Sequence, residues 1–208
     1  MLITISRQYG AGGSEVARRV AEALGWHLVD NELIEHVAAR AGLQPEEVAV
    51  MEERVPTFVE RLARTLAAAT PELFPLPRAG GTVAPLEEAD LVSITEAVVG
   101  EIADGGRVVF VGRSAPAVLA RRTDALHVKV VASKAFRIQV AANRLGVSPA
   151  KAAETLEETD RMRARYNREY YHRDWHDPVN FHMMLNTESL GFDGAAEVIV
   201  GRARGMGW

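Results

Sequence analysis

The sequence predicts an α/β protein, a parallel β-sheet with helices on both faces, on three observations. Short apolar runs at 2–5, 26–30, 107–112, 126–132 and 181–186 alternate with longer amphipathic stretches, the order that βαβ units produce. Hairpin signals between successive strands are missing. The run RVVFVG at 107–112 is nearly continuously apolar, as a strand covered on both faces reads.

The elements follow in order. Leu2-Ile3-Thr4-Ile5 is a β-branched strand, and a glycine-rich turn comes after it. Val16, Ala17, Val20, Ala21 and Leu24 recur at helical spacing, so Ser14 to Leu24 is a helix. Ser14 is its expected N-cap, Glu15 lies in its first turn, and Gly25 is its stop. Trp26 to Asp30 is a second strand ending in an acid. Helices are expected over 31–41, from Pro45 through Met51, and over 57–69. The stretch TPELFPLPRAGGTVAP at 70–85 has the prolines and paired glycines of a mobile loop. A helix from about Leu86 to Ala103 leads to the strand at 107–112. The strand LHVKVVA at 126–132, a helix over 133–145 and a long polar helix from Ser148-Pro149 to about Tyr171 follow. A strand at 181–186 and a helix over 193–203 complete the pattern.

Composition limits the function classes. The 208 residues suit one domain or one domain with a sizeable insertion, and 48% hydrophobic content supplies a core. A net charge of −4 argues against a nucleic-acid binder. There are no cysteines, so disulfides and thiolate metal sites are excluded, in keeping with a reducing cytoplasm. Neither a signal peptide nor an apolar run of the roughly 18 residues that span a bilayer is read. No membrane partner is expected, and self-association is left open.

Ligands of open α/β sheets bind at the carboxyl ends of the strands. The Gly-rich turn, Asp30, Gly112-Arg113 and Ala132-Ser133 fall at such ends. The turn Tyr9-Gly10-Ala11-Gly12-Gly13-Ser14 between strand and helix is a phosphate cradle, because the first helical N–H groups are unpaired; the alternative is a tight turn without ligand. A Walker A loop ends in Gly-Lys-Ser/Thr, whereas this one ends in Gly12-Gly13-Ser14. The lysine is absent. Ser14 stands where the Walker hydroxyl binds Mg²⁺. Arg7 either supplies the missing charge, since guanidinium binds phosphate bidentately, or is a surface arginine. Asp30 either holds a substrate hydroxyl or amine or caps the next helix. Arg161, Arg165 and Arg168 share a helical face, with Arg163 largely turned from them. That face is either a clamp for a transferring phosphoryl group or a solvated surface paired with Glu157, Glu158 and Asp160. His172, His176 and His182 resemble zinc spacing, but Asp174, Trp175, Asp177 and Pro178 read as loop.

Taken in order, ITISRQYGAGGSEVARRVAEALG, LVDNELI, VVFVGRSA, ALHVKV, TDRMRARYNREYY and DWHDPVNFHMMLNTESLGFDGAAEVI resemble the cytidylate kinase-like family of P-loop nucleoside monophosphate kinases. The resemblance implies a three-layer fold with a five-stranded parallel sheet. Its core is 1–30 and 106–208, its acceptor-binding insertion about 31–105, and its lid about 155–178. It also implies ATP and Mg²⁺ as cofactors. Tyr9 to Ser14 would hold the donor phosphates. Asp30, Arg113 and Arg163 would bind the acceptor, and Arg7, Arg161 and Arg165 would serve catalysis. Relative to true cytidylate kinases, Gly13 replaces lysine, Val111 stands before Gly112-Arg113 in place of an acid, and Ser114 replaces the acid after it.

The expected activity is therefore phosphoryl transfer from ATP to a nucleoside monophosphate, CMP or dCMP first. Two alternatives stand beside it: a kinase for a non-nucleotide small molecule, and a non-catalytic ATP-binding regulator.

Overall fold

A computed structural model of the chain describes residues 1–30, 88–112 and 114–208. The helices and loop expected between 31 and 85, and Arg113, lie outside the described residues. The chain divides into two compact units, Met1–Ile34 with Gly100–Trp208, and Glu35–Val99. Of the second unit only the start of one helix is described.

The described elements are β1 (Leu2–Arg7), α1 (Gly13–Leu24), β2 (His27–Asp30), α2 (Glu88–Gly105), β3 (Val108–Val111), α3 (Ala115–Val118), β4 (Ala125–Val131), α4 (Lys134–Leu145), α5 (Pro149–Tyr171), β5 (Met183–Asn186) and α6 (Thr187–Gly205). Among the described residues the sheet has five parallel strands in the order β2-β3-β1-β4-β5. β1 is central. From it the chain runs out to the β2 edge, returns to β3, and crosses to β4. The Gly-rich turn after β1 therefore sits at the switch in strand order, where such sheets leave a crevice.

Side chains alternate across the sheet. On one face Ile3, Ile5, Val109, Val111, Leu126, Val128 and Val130 meet Val16, Ala17 and Val20 of α1 and Ala195, Ile199 and Ala203 of α6 in one apolar cluster. The small residues on α1 and α6 let the two helices lie close over the same strands.

The opposite face is partly polar. Thr4 and Ser6 of β1 stand beside His127 and Lys129 of β4 in register. Thr4 Oγ1 and His127 Nδ1 are 2.7 Å apart, and burial holds the His127 imidazole down at about 4. Lys129 is 1% exposed. Its Nζ donates to the Trp175 carbonyl and lies 3.7 Å from the centre of the Trp175 ring and 5.0 Å from that of Phe181. Trp175 Nε1 donates to Ser6 Oγ at 3.0 Å. The segment after α5 is thus fastened to β1 and β4 through one indole.

Several local details differ from expectation. α1 begins at Gly13, and its N-cap is Gly12 at φ 75° with no side-chain cap, so Ser14 lies inside the helix. β3 is shorter than 107–112 because Arg107 and Gly112 adopt φ 54° and 75° and turn the chain out of the sheet. The last helix starts at Thr187 and is broken at Gly191, φ 67° and ψ 172°. Ser133 and Ser148 cap α4 and α5 by accepting from Phe136 N and Lys151 N.

Burial lowers the Lys129 ammonium to about 8, against the pull of Asp160 and Asp174 and with help from Arg163. Its unfolded value is near 10.5, so between pH 8 and 10.5 the unfolded chain binds the extra proton and stability rises with pH. Lys129→Met removes this rise. Urea unfolding of both chains across that window measures it, and equal pH slopes would contradict the assignment.

Candidate active site

The site is built on β1, the turn after it, and the start of α1. The carbonyls of this stretch are turned into the protein. Arg7 O accepts from Arg163 Nη1 at 3.0 Å, and Tyr9 O from Arg137 Nη1 at 3.2 Å. Ala11 O accepts from the buried Thr187 hydroxyl at 2.8 Å. Gln8 O accepts from Ala11 N and Gly12 O from Val16 N. Five carbonyl dipoles are thereby engaged within the protein. Meanwhile the first N–H groups of α1 have no intrahelical partner and no side-chain cap. A helix start of this kind attracts anions.

The glycines serve different ends. At Gly10, φ 77°, an added Cβ would lie 2.4 Å from the Arg137 carbonyl oxygen, so this glycine allows α4 to approach. At Gly12 a Cβ would enter the Phe192 ring. At Gly13 it would lie 2.5 Å from Arg7 Cβ and 2.8 Å from Arg7 Cγ. The space beside α1 that a side chain at 13 would need is filled by the stem of Arg7.

Arg7 is half-buried, and among the described residues its guanidinium has no ion-pair or hydrogen-bond partner. The other arginines around it are engaged. Arg137 pairs with Asp160 at 2.7 Å, and Arg163 with Asp160 at 3.6 Å. Arg144 and Arg163 lie 5.6 and 5.9 Å from the centre of the Tyr9 ring. Asp160 Oδ1 also accepts the Tyr9 amide at 2.8 Å.

These contacts bear on two expectations. The Tyr9 and Ala11 amides are engaged by Asp160 Oδ1 and Gln8 O, which leaves Gly10, Gly12, Gly13 and Ser14 as the donors of the turn without such a partner among the described residues. Arg161 and Arg165 lie on the outer face of α5, 74% and 65% exposed, paired with Glu158 and Glu169. Arg163, 24% exposed, is the arginine of this helix that meets the loop. The reason is periodicity: Ala152, Leu156 and Asn167 are the buried positions of α5, and Asp160 and Arg163 continue their face.

Asp30 is buried at the carboxyl edge of the sheet, in register with Val111. Gly112, φ 75°, donates its amide to Ile5 O at 3.1 Å. His172 is the C-cap of α5 at φ 52°, and His182 stacks on His127 with centroids 5.1 Å apart. Among the described residues no group of three or more His, Cys, Asp or Glu is arranged to hold a metal. Ser14 offers one hydroxyl, enough for a Mg²⁺ ion that keeps most of its waters and takes other oxygens from phosphates. No helix among the described residues is long and apolar enough to cross a membrane.

Sequence reading missed Asp160 as a loop contact and missed Lys129 altogether. A lysine inside the run LHVKVV of a doubly covered strand was the available signal.

Residues 2–189 match the cytidylate kinase-like family, and the chain belongs to it. The solved structures it resembles include an uncharacterized protein from Eubacterium ventriosum, at 18% identity and TM-score 0.68 over 98% of each chain. They also include a gluconokinase from Sinorhizobium meliloti, at 16% identity and TM-score 0.52, covering 98% of this chain and 94% of that one. A shikimate kinase from Bacteroides thetaiotaomicron is similar at 15% identity and TM-score 0.51, with 99% and 97% covered. Among curated proteins no sequence match is found. Family and fold are those of P-loop phosphotransferases.

The shared space of residues 7 and 13 predicts non-additive stability. Gly13→Lys alone costs about 1–3 kcal/mol from overpacking against Arg7. In the double variant Arg7→Gly/Gly13→Lys part of that cost returns, with a coupling of about 1 kcal/mol or more. Urea unfolding of the four chains measures it; strict additivity would contradict the overlap.

Proposed function

We propose that this chain transfers a phosphoryl group from ATP to a nucleoside monophosphate, with CMP and dCMP the first candidates. The observation that carries the proposal is Arg7. Its aliphatic stem lies against Gly13, beside an uncapped helix start, and its half-buried guanidinium has no acidic partner among the described residues. A cation and a row of amide donors on one loop would together suit an anion.

Phosphoryl transfer asks for positioning and charge neutralisation more than for covalent chemistry by the protein. The Gly12, Gly13 and Ser14 amides would hold the donor phosphates. Arg7 would supply the charge that lysine gives in a Walker loop, and it would do so bidentately. Ser14 Oγ would contribute one Mg²⁺ ligand. Bound ATP would supply the transferable group, and Mg²⁺ would offset its charge. Arg163, held next to the Arg7 carbonyl, would be a further cation beside the loop, and Arg161 and Arg165 would add charge from α5. Asp30 at the sheet edge, with Arg113, would face the acceptor.

Coupled assays of ADP formation with CMP, dCMP, UMP, AMP, gluconate and shikimate test the proposal. Turnover is expected with CMP or dCMP, and Arg7→Ala is expected to lower kcat roughly 10²–10³-fold without loss of the fold. Turnover with gluconate or shikimate alone would overturn the acceptor. ATP binding without turnover of any of them would overturn catalysis.

A further inference from the structure

Asp160 has an unusual set of partners. It sits on α5, yet its Oδ1 accepts the Tyr9 amide, 151 residues away in sequence. Its Oδ2 takes Arg137 Nη1 of α4 at 2.7 Å. Its Oδ1 also lies 3.6 Å from Arg163 Nη1. The same Arg137 nitrogen that meets Asp160 donates to the Tyr9 carbonyl, and the same Arg163 nitrogen donates to the Arg7 carbonyl. One carboxylate therefore orients two guanidiniums, and each guanidinium holds a carbonyl of the loop. Tyr9, Leu156 of α5, and Ala141 and Ala142 of α4 form a small apolar cluster around this polar knot.

The consequence is geometric. The path from β1 into α1 is fixed at Arg7 and Tyr9 by charge-assisted hydrogen bonds centred on one residue of another element. These are the residues that decide where the Arg7 side chain leaves the strand. A carboxylate beside an anion site would by itself repel phosphate. Here its charge is spent on two arginines, so what remains is the orientation it imposes.

We infer, resting on the phosphotransferase reading, that Asp160 is the positioning residue of the donor-phosphate site and the link by which α5 sets the loop's shape. Displacement of α5 pulls on the Tyr9 amide directly. Occupancy of the loop is felt by α5 through the same bond.

Residue-resolved amide hydrogen exchange on the full chain tests this, with Asp160→Asn and Asp160→Ala, with and without Mg²⁺-ATP. Asparagine keeps an oxygen for the Tyr9 amide, and alanine does not. The Tyr9 amide should be protected in the wild type and in Asp160→Asn, and should exchange at least tenfold faster in Asp160→Ala, beyond any change at amides of β4. ATP should slow exchange at Gly12–Ser14 in the wild type, and that slowing should be at least halved in Asp160→Ala. Equal Tyr9 protection in the wild type and Asp160→Ala overturns the inference. So does full ATP-dependent protection in Asp160→Ala. Absence of ATP-dependent protection in the wild type overturns the phosphotransferase reading instead, whatever Tyr9 shows.

Discussion

Residues 7 and 13 share a space that admits one long side chain. A Cβ at Gly13 would lie 2.5 Å from Arg7 Cβ, so the chain carries its cation either on the helix or on the strand, not on both. The rest of the site follows from the choice of the strand. Arg7 closes β1, the central strand, and β1 is held in register by β3 and β4. A cation at this position is placed by the sheet, whereas a lysine at 13 would be placed by the first turn of α1.

That placement depends on the supports around it. Thr187 and Arg137 engage the carbonyls of Ala11 and Tyr9. Gly10 and Gly12 give way to the Arg137 backbone and the Phe192 ring. Below the loop, Trp175 joins Ser6 to the segment after α5, and the buried Lys129 holds Trp175 by its carbonyl. A buried ammonium is costly; here a carbonyl and two aromatic faces offset part of that cost. The site is thus anchored by α5 above, through Asp160, and by the segment after α5 beneath.

Much of this was legible in the sequence. The strand, turn and helix at 2–24 declare themselves by a β-branched run, clustered glycines and helical spacing, and the alternation of elements declares a parallel sheet. Arg7 stood out as a charge beside a loop that lacks one. The α5 face did not. Arg161, Arg165 and Arg168 do share a face, but α5 is polar along most of its length, and its apolar stripe of Ala152 and Leu156 is too thin to show which face turns inward. The contacts of Asp160 are long-range and leave no local pattern. The cap of α1 was misplaced by two residues because glycine in a left-handed conformation can end a turn as serine does, and sequence alone does not give φ.

The most direct measurement is a crystal structure with Mg²⁺ and a non-hydrolysable ATP analogue. The account predicts the triphosphate on the Gly12–Ser14 amides, with the Arg7 guanidinium within about 3 Å of its oxygens. Phosphates bound there with Arg7 turned away, or phosphates bound elsewhere, would contradict it.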